Sequence, residues 1–369
     1  MRASNSGAIL SLFLHYLLAV SASTTQYPST VVDGDSIVQY IATSAIDAPK
    51  VSTINATSYD YWYFDAVSLD HEYSVVAVFY AAPKTSFPFL PKNQQILAAQ
   101  ISVQTPGAVT INTTYATAAT LTVDDINNDI EGTWEGIGAA FTGTRNMTLY
   151  NVTFESEEQL GVSGFASFKS IAPPHYVCSP AEEGANMELL PHVGWANAIP
   201  DAHAIVELEI NGTRVSFSGV GYHDKNWGDA PFQDAVTSWY WGHARVGPYS
   251  VVWFDAIASN GTEYASGYVA RDGQILGIAC GTDKAKVRPI GNTTYPPHTE
   301  SNTPDGFQIE FDLGEDVGVF EATAKAEALA LQSQTGVYSR WTGGISGGLR
   351  SEGKVFNGTS LFDQFALTS

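Results

Sequence analysis

The sequence predicts an all-β protein, sandwich or barrel, arranged as two domains in tandem. Three observations carry this. Apolar and polar residues alternate at period two along much of the chain, whereas helical periodicity is hard to find over any long stretch. Asn-Gly and Asp-Gly pairs interrupt the alternating runs where tight hairpin turns need them. An aromatic block in the first half is echoed in the second.

The clearest hairpin runs Ala204 to Ile210, turns at Asn211-Gly212 and returns from Thr213 to Ser218, with Val206, Leu208 and Ile210 on one face and Glu207 and Glu209 on the other. A second meander covers Val251 to Ser259, Thr262 to Ala270 and Ile275 to Ile278, with turns at Asn260-Gly261 and Asp272-Gly273. The echo sets Tyr61-Trp62-Tyr63-Phe64 beside Trp239-Tyr240-Trp241, each followed by a Tyr-Ser-Val-Val strand, with one residue of slippage between the blocks. A duplicated β-domain follows, with an N-terminal domain over 23–190 and a C-terminal domain over 191–369.

Residues 1–22 read as a signal peptide: Arg2, an apolar run from Ala8 to Val20, and the small residues Ser21, Ala22 and Ser23, with cleavage after Ala22. No later stretch has the apolar length of a membrane span. Asn55, Asn112, Asn146, Asn151, Asn211, Asn260, Asn292 and Asn357 each open an Asn-x-Ser/Thr glycosylation sequon, and all point to the secretory pathway. In that oxidising setting Cys178 and Cys280, the two cysteines of the chain, are expected to pair. The net charge of -21 argues against nucleic acid as a partner. Nothing in the composition fixes an oligomeric state.

Motifs for familiar chemistry are sparse. Gly344-Ile345-Ser346-Gly347-Gly348 matches a nucleophile elbow, but no histidine follows it, and it reads as a flexible glycine-rich turn. Two cysteines make no zinc site. His223 with Asp224, and His243, allow either a metal or acid–base pair or a satisfied buried histidine beside a turn carboxylate. The aromatic set Trp62, Tyr63, Phe64, Trp227, Phe232, Trp239, Tyr240, Trp241, Trp253 and Trp341 is core by default. Interleaved with Asp65, His243 and Arg245, it is also how an apolar ligand pocket is written.

The run Gly219-Val220-Gly221-Tyr222-His223-Asp224-Lys225-Asn226-Trp227-Gly228 with Trp239-Tyr240-Trp241-Gly242-His243-Ala244-Arg245 resembles the carotenoid-hydratase-like, tandem-lipocalin superfamily, whose fungal members include Diels–Alderases. The early Tyr61-Trp62-Tyr63-Phe64-Asp65-Ala66 and late Tyr338-Ser339-Arg340-Trp341-Thr342-Gly343 blocks extend the likeness over the mature chain. With its signal peptide and sequons, the chain looks most like the secretory hetero-Diels–Alderases of tropolone–sesquiterpenoid biosynthesis.

The resemblance implies two lipocalin-like β-barrel or sandwich domains with a substrate cavity near their junction. It further implies cofactor-free joining of a tropolone o-quinone methide to a humulene-type olefin, both hydrophobic small molecules. Asp65, His243 and Trp341 are the expected catalytic residues, and Tyr63, Phe64, Trp239, Tyr240, Trp241 and Arg245 the expected substrate contacts. His223, Asp224 and Trp227 are expected to form a supporting structural turn. Intramolecular decalin formation and a non-catalytic lipocalin-like carrier are the competing readings, since either needs the same apolar cavity.

Overall fold

The computed structural model describes residues 22–91, 94–124, 129–333 and 335–368. All of the expected signal peptide except Ala22 lies outside them. Among the described residues the chain is almost wholly strand, in one sheet of fourteen strands and one of ten. The first sheet takes every strand from Ala22–Pro28 to Thr213–Gly228, and the second every strand from Val236–Val246 to Phe356–Ala366. The change of sheet therefore falls between Gly228 and Val236, across the short helix Phe232–Ala235, and later than the boundary suggested near 190. The paired strands Val193–Ile210 and Thr213–Gly228 complete the first sheet.

Strands Tyr59–Ser68, Ser74–Ala81, Val236–Val246 and Tyr249–Ala258 are buried on both faces, and three cores result. One lies inside the curl of the first sheet, around Trp62, Phe64, Phe79, Trp134, Phe141 and Trp227. Another lies inside the second, around Tyr240, Trp253, Phe307, Phe320, Trp341 and Phe362. The third fills the junction between the sheets and includes Tyr61, Tyr63, Tyr80, Trp195, Tyr222, Trp239 and Trp241.

Both expected meanders form. Asn211 and Gly212 take φ of 48° and 79°, and Asp272 and Gly273 take 51° and 79°, the left-handed pairs that a two-residue hairpin loop requires. The Gly344-to-Gly348 run corrects its expectation: it is the middle of the strand Tyr338–Leu349, paired on both sides, and not a turn. Its neighbour Gly343 must lack a side chain, because a Cβ there would come within 1.9 Å of the Lys325 carbonyl oxygen.

Cys178 and Cys280 form the expected disulfide, with Cα atoms 5.4 Å apart, joining a loop of the first sheet's chain to the end of the second-sheet strand Gln274–Cys280. All eight sequon asparagines are exposed or half-buried. Among the described residues no helix is long and apolar enough to cross a membrane.

Candidate functional site

The hairpin of strands Tyr59–Ser68 and Ser74–Ala81 in the first sheet faces that of strands Val236–Val246 and Tyr249–Ala258 in the second. The aromatic blocks related by the echo meet across this junction. Tyr63 packs edge-on against Trp241 with ring centroids 5.3 Å apart. Two residues further along each strand, His243 Nε2 and Asp65 Oδ1 are 2.8 Å apart, both buried. The ring of His243 stacks on Tyr222, whose hydroxyl accepts from Trp241 and donates to Asp224.

Beside this seam the junction opens into a cavity of about 1060 Å³. Its walls are aromatic and apolar: Tyr61, Tyr63, Tyr80, Phe87, Trp239 and Phe365. Its buried polar groups come from the last two long strands, Tyr338–Leu349 and Phe356–Ala366. Arg340 and Asp363 stand directly opposite each other there, with Tyr338 two residues from Arg340 on the same face. Such a cavity, mostly apolar with a few convergent polar groups, is the usual form of a small-molecule site.

Asp363 accepts hydrogen bonds from the Tyr338 hydroxyl at 2.8 Å and from Trp239 Nε1 at 3.2 Å. Burial pushes its carboxyl up to about 7, against the opposing pull of Arg340 and the two donors. Near neutral pH it is therefore shared between acid and carboxylate, the condition of a general acid or base. Arg340 is 6% exposed, and its guanidinium lies 5.3 Å from the ring centroids of both Tyr63 and Tyr338. Among the described residues its one hydrogen bond is a long 3.5 Å contact from Nη1 to Ser102 Oγ. Its Nε has no partner.

Of the residues expected in the site, Tyr63 and Trp239 line the cavity. Trp241, Asp65 and His243 belong to the seam beside it, tied to one another and to Tyr222 rather than lining the cavity. Arg245 closes the edge of the seam, bound to Asp201 through Nε and Nη2 and to the Ala202 carbonyl. Three expected site residues point the other way, since strand parity decides the face. Phe64 is inside the first curl, stacked on His223 at 3.8 Å, while Tyr240 and Trp341 are inside the second, against Phe307 and Phe362 respectively.

The same parity separates His223 from Asp224. His223 turns inward to Asp47 at 2.6 Å and the Tyr63 carbonyl at 2.8 Å, while Asp224 faces the junction and binds Trp195 and Tyr222. They form no acid–base or metal pair with each other. Trp227 donates to the Gln39 carbonyl, and Lys225 binds Asp60 at 2.9 Å and the Ala48 carbonyl, so this part of the motif holds the segment before strand Tyr59–Ser68 over the first core.

Arg340, Asp363, Tyr338 and Tyr80 escaped the sequence reading. The signal was present: Arg340 and Asp363 are each the single charged residue of their strand, a pattern that marks a buried charge with a purpose.

Comparison with known proteins follows this geometry. A family model described as Diels-Alderase-like matches residues 24–287. The chain is 35% identical to the quinolone epoxide rearrangement protein penF of Penicillium thymicola, over 92% of this chain and 94% of that protein. It is 32% identical to the quinolone epoxide rearrangement protein asqO of Emericella nidulans, over 96% of each. A Diels-Alderase of an Acremonium species, ucsH, is 24% identical over 63% of this chain and 59% of its own length. The crystal structure of CghA with Sch210972 superposes with a TM-score of 0.75 at 17% identity, covering 94% of this chain and 99% of that one. The fold is thus the two-domain β-architecture of that structure, and the chain is an enzyme of the Diels-Alderase-like family.

Proposed function

We propose that the chain isomerises a hydrophobic, oxygen-bearing small molecule in the junction cavity, with Asp363 as the proton donor. The observation that carries this is a buried carboxyl, pushed up to about 7, set among aromatic walls and held in place by Tyr338 and Trp239. The whole-length likeness to two proteins named for quinolone epoxide rearrangement supports an aryl-lactam epoxide as the substrate.

The step needs no co-reactant. Asp363 gives its proton to the epoxide oxygen as one C–O bond breaks, its electron pair going to oxygen. A neighbouring substituent migrates with its bonding pair to the electron-poor carbon, and the proton on oxygen returns to Asp363 as the carbonyl forms. Tyr80 and Trp239 line the cavity, where their rings are available to stabilise the transient positive charge.

Cavity size favours a second reading. At about 1060 Å³ it reaches the upper end of the range for single drug-sized ligands and has room for two partners. In that reading a tropolone o-quinone methide and a humulene-type olefin are held face to face. One C–C and one C–O bond form together, with Asp363 donating a hydrogen bond to the quinone-methide oxygen. Purified protein incubated separately with a quinolone epoxide and with a quinone-methide precursor plus humulene decides between them by product mass and stereochemistry. Tight binding without rate enhancement in either mixture would leave only a carrier. The working compartment we propose is the secretory lumen, supported by the surface placement of the sequons and by the disulfide; a mobility shift on endoglycosidase treatment tests it.

A further inference from the structure

We propose that Arg340 is the anchor for an ionised oxygen of the substrate, so that the cavity selects hydrophobic molecules bearing an enolate-type or carboxylate group. The inference builds on the junction cavity as the reaction site and adds the charge state of what enters it.

A guanidinium keeps its charge in any protein environment and is costly to bury unless an anion or several acceptors meet it. Arg340 has only partial compensation, from the more distant attraction of Asp363 and Asp65. It forms no ion pair within 4 Å among the described residues, its Nε is unpaired, and its Nη1 reaches a single hydroxyl at 3.5 Å. Asp363 stands opposite on the adjacent strand, is oriented by Tyr338 and Trp239, and attracts the guanidinium without forming an ion pair with it. Tyr63 and Tyr338 flank the guanidinium with ring faces, which soften the desolvation without supplying an acceptor.

The other basic residue lining the cavity, Lys84, is exposed and already donates to the carbonyls of Pro88 and Leu90. In a chain of net charge -21 an anionic ligand is repelled at long range, so its entry depends on a local cation, and Arg340 is the buried one. The planar fork suits two oxygens of one delocalised acid.

The test compares acidic ligands with their neutral methyl derivatives, read by quenching of tryptophan fluorescence and by calorimetry. One pair is 4-hydroxy-2-quinolone and 4-methoxy-2-quinolone at a pH where the former is ionised. The other, outside the quinolone class, is 2-naphthoate and methyl 2-naphthoate. Full-length protein should bind each acid at least about tenfold tighter than its neutral partner, as expected for a charge-assisted hydrogen bond. Arg340→Met should abolish that preference and Arg340→Lys retain part of it.

Equal affinity within both pairs, no measurable binding of either acid, or a preference that survives in Arg340→Met would overturn the anchor. Because the ligand pairs discriminate on the unmodified protein, the result stands even if a variant does not fold. Discrimination between the naphthoates without quinolone binding would uphold the anchor while removing the quinolone reading.

Discussion

Asp65 and His243, on strands from different sheets, meet at 2.8 Å with both side chains buried, and they lie on the two aromatic strands that the internal echo relates. Together with the Tyr63–Trp241 contact, this makes the junction a seam between equivalent hairpins. The pair is placed to lock the two sheets together. Replacing His243 by Leu leaves a buried carboxylate without its partner and should cost about 3–5 kcal/mol in denaturant unfolding. The double replacement Asp65→Leu/His243→Leu should cost less than the sum of the single changes, a coupling that a double-mutant cycle measures.

Asp363 sets a pH limit on activity. As its carboxyl is pushed up to about 7 and the protonated form is the proposed donor, kcat/KM should fall as pH rises through 7. Asp363→Asn should lower kcat by at least about 100-fold and remove that limb. Tyr338→Phe deletes a hydrogen bond that favours the ionised form, so the limb should move to higher pH. A limb unchanged in Tyr338→Phe would assign the titration to another group.

Stability should carry the same signature. Burial pushes both Asp363 and Asp224 up to about 7, above the ordinary carboxylate value that they regain on unfolding. Between about pH 4 and 7 the folded state thus holds protons that the unfolded state has released, and stability falls as pH rises through that window. Asp224→Asn and Asp363→Asn should each flatten the dependence of denaturation midpoint on pH.

Trp341 belongs to the core of the second curl, packed against Phe362, so Trp341→Ala should act through folding. A loss of about 3–5 kcal/mol in unfolding free energy is expected, with activity per folded molecule little changed. Tyr63→Ala, in contrast, opens a cavity wall and should raise KM more than it lowers stability.

The disulfide joins residues 102 apart in sequence and ties the two sheets across their junction. Paired replacement of Cys178 and Cys280 by Ser should cost up to about 4–5 kcal/mol in the chain-entropy model. Comparing thermal midpoints of the two forms without reductant checks it, and equal midpoints would show that the link adds nothing to stability.

The sequence by itself determined the strands, because side-chain alternation and turn residues are local: the Asn211-Gly212 hairpin and the Tyr249-to-Cys280 meander are written in adjacent residues. It also determined the pairing of two lone cysteines and placed an aromatic seam where the echo put it. What tertiary structure decided is which face of each strand meets what. The strands at the junction are buried on both sides, so alternation alone does not distinguish a barrel interior from a junction, and Trp341 and Arg340, adjacent in sequence, end in different places. Asp363 acquires its raised carboxyl from the burial that two curled sheets create together, while Tyr338 on a neighbouring strand and Trp239 far away in the chain hold it in place and partly offset that rise. Those contacts are long-range, and only closure of the two sheets on each other brings them about.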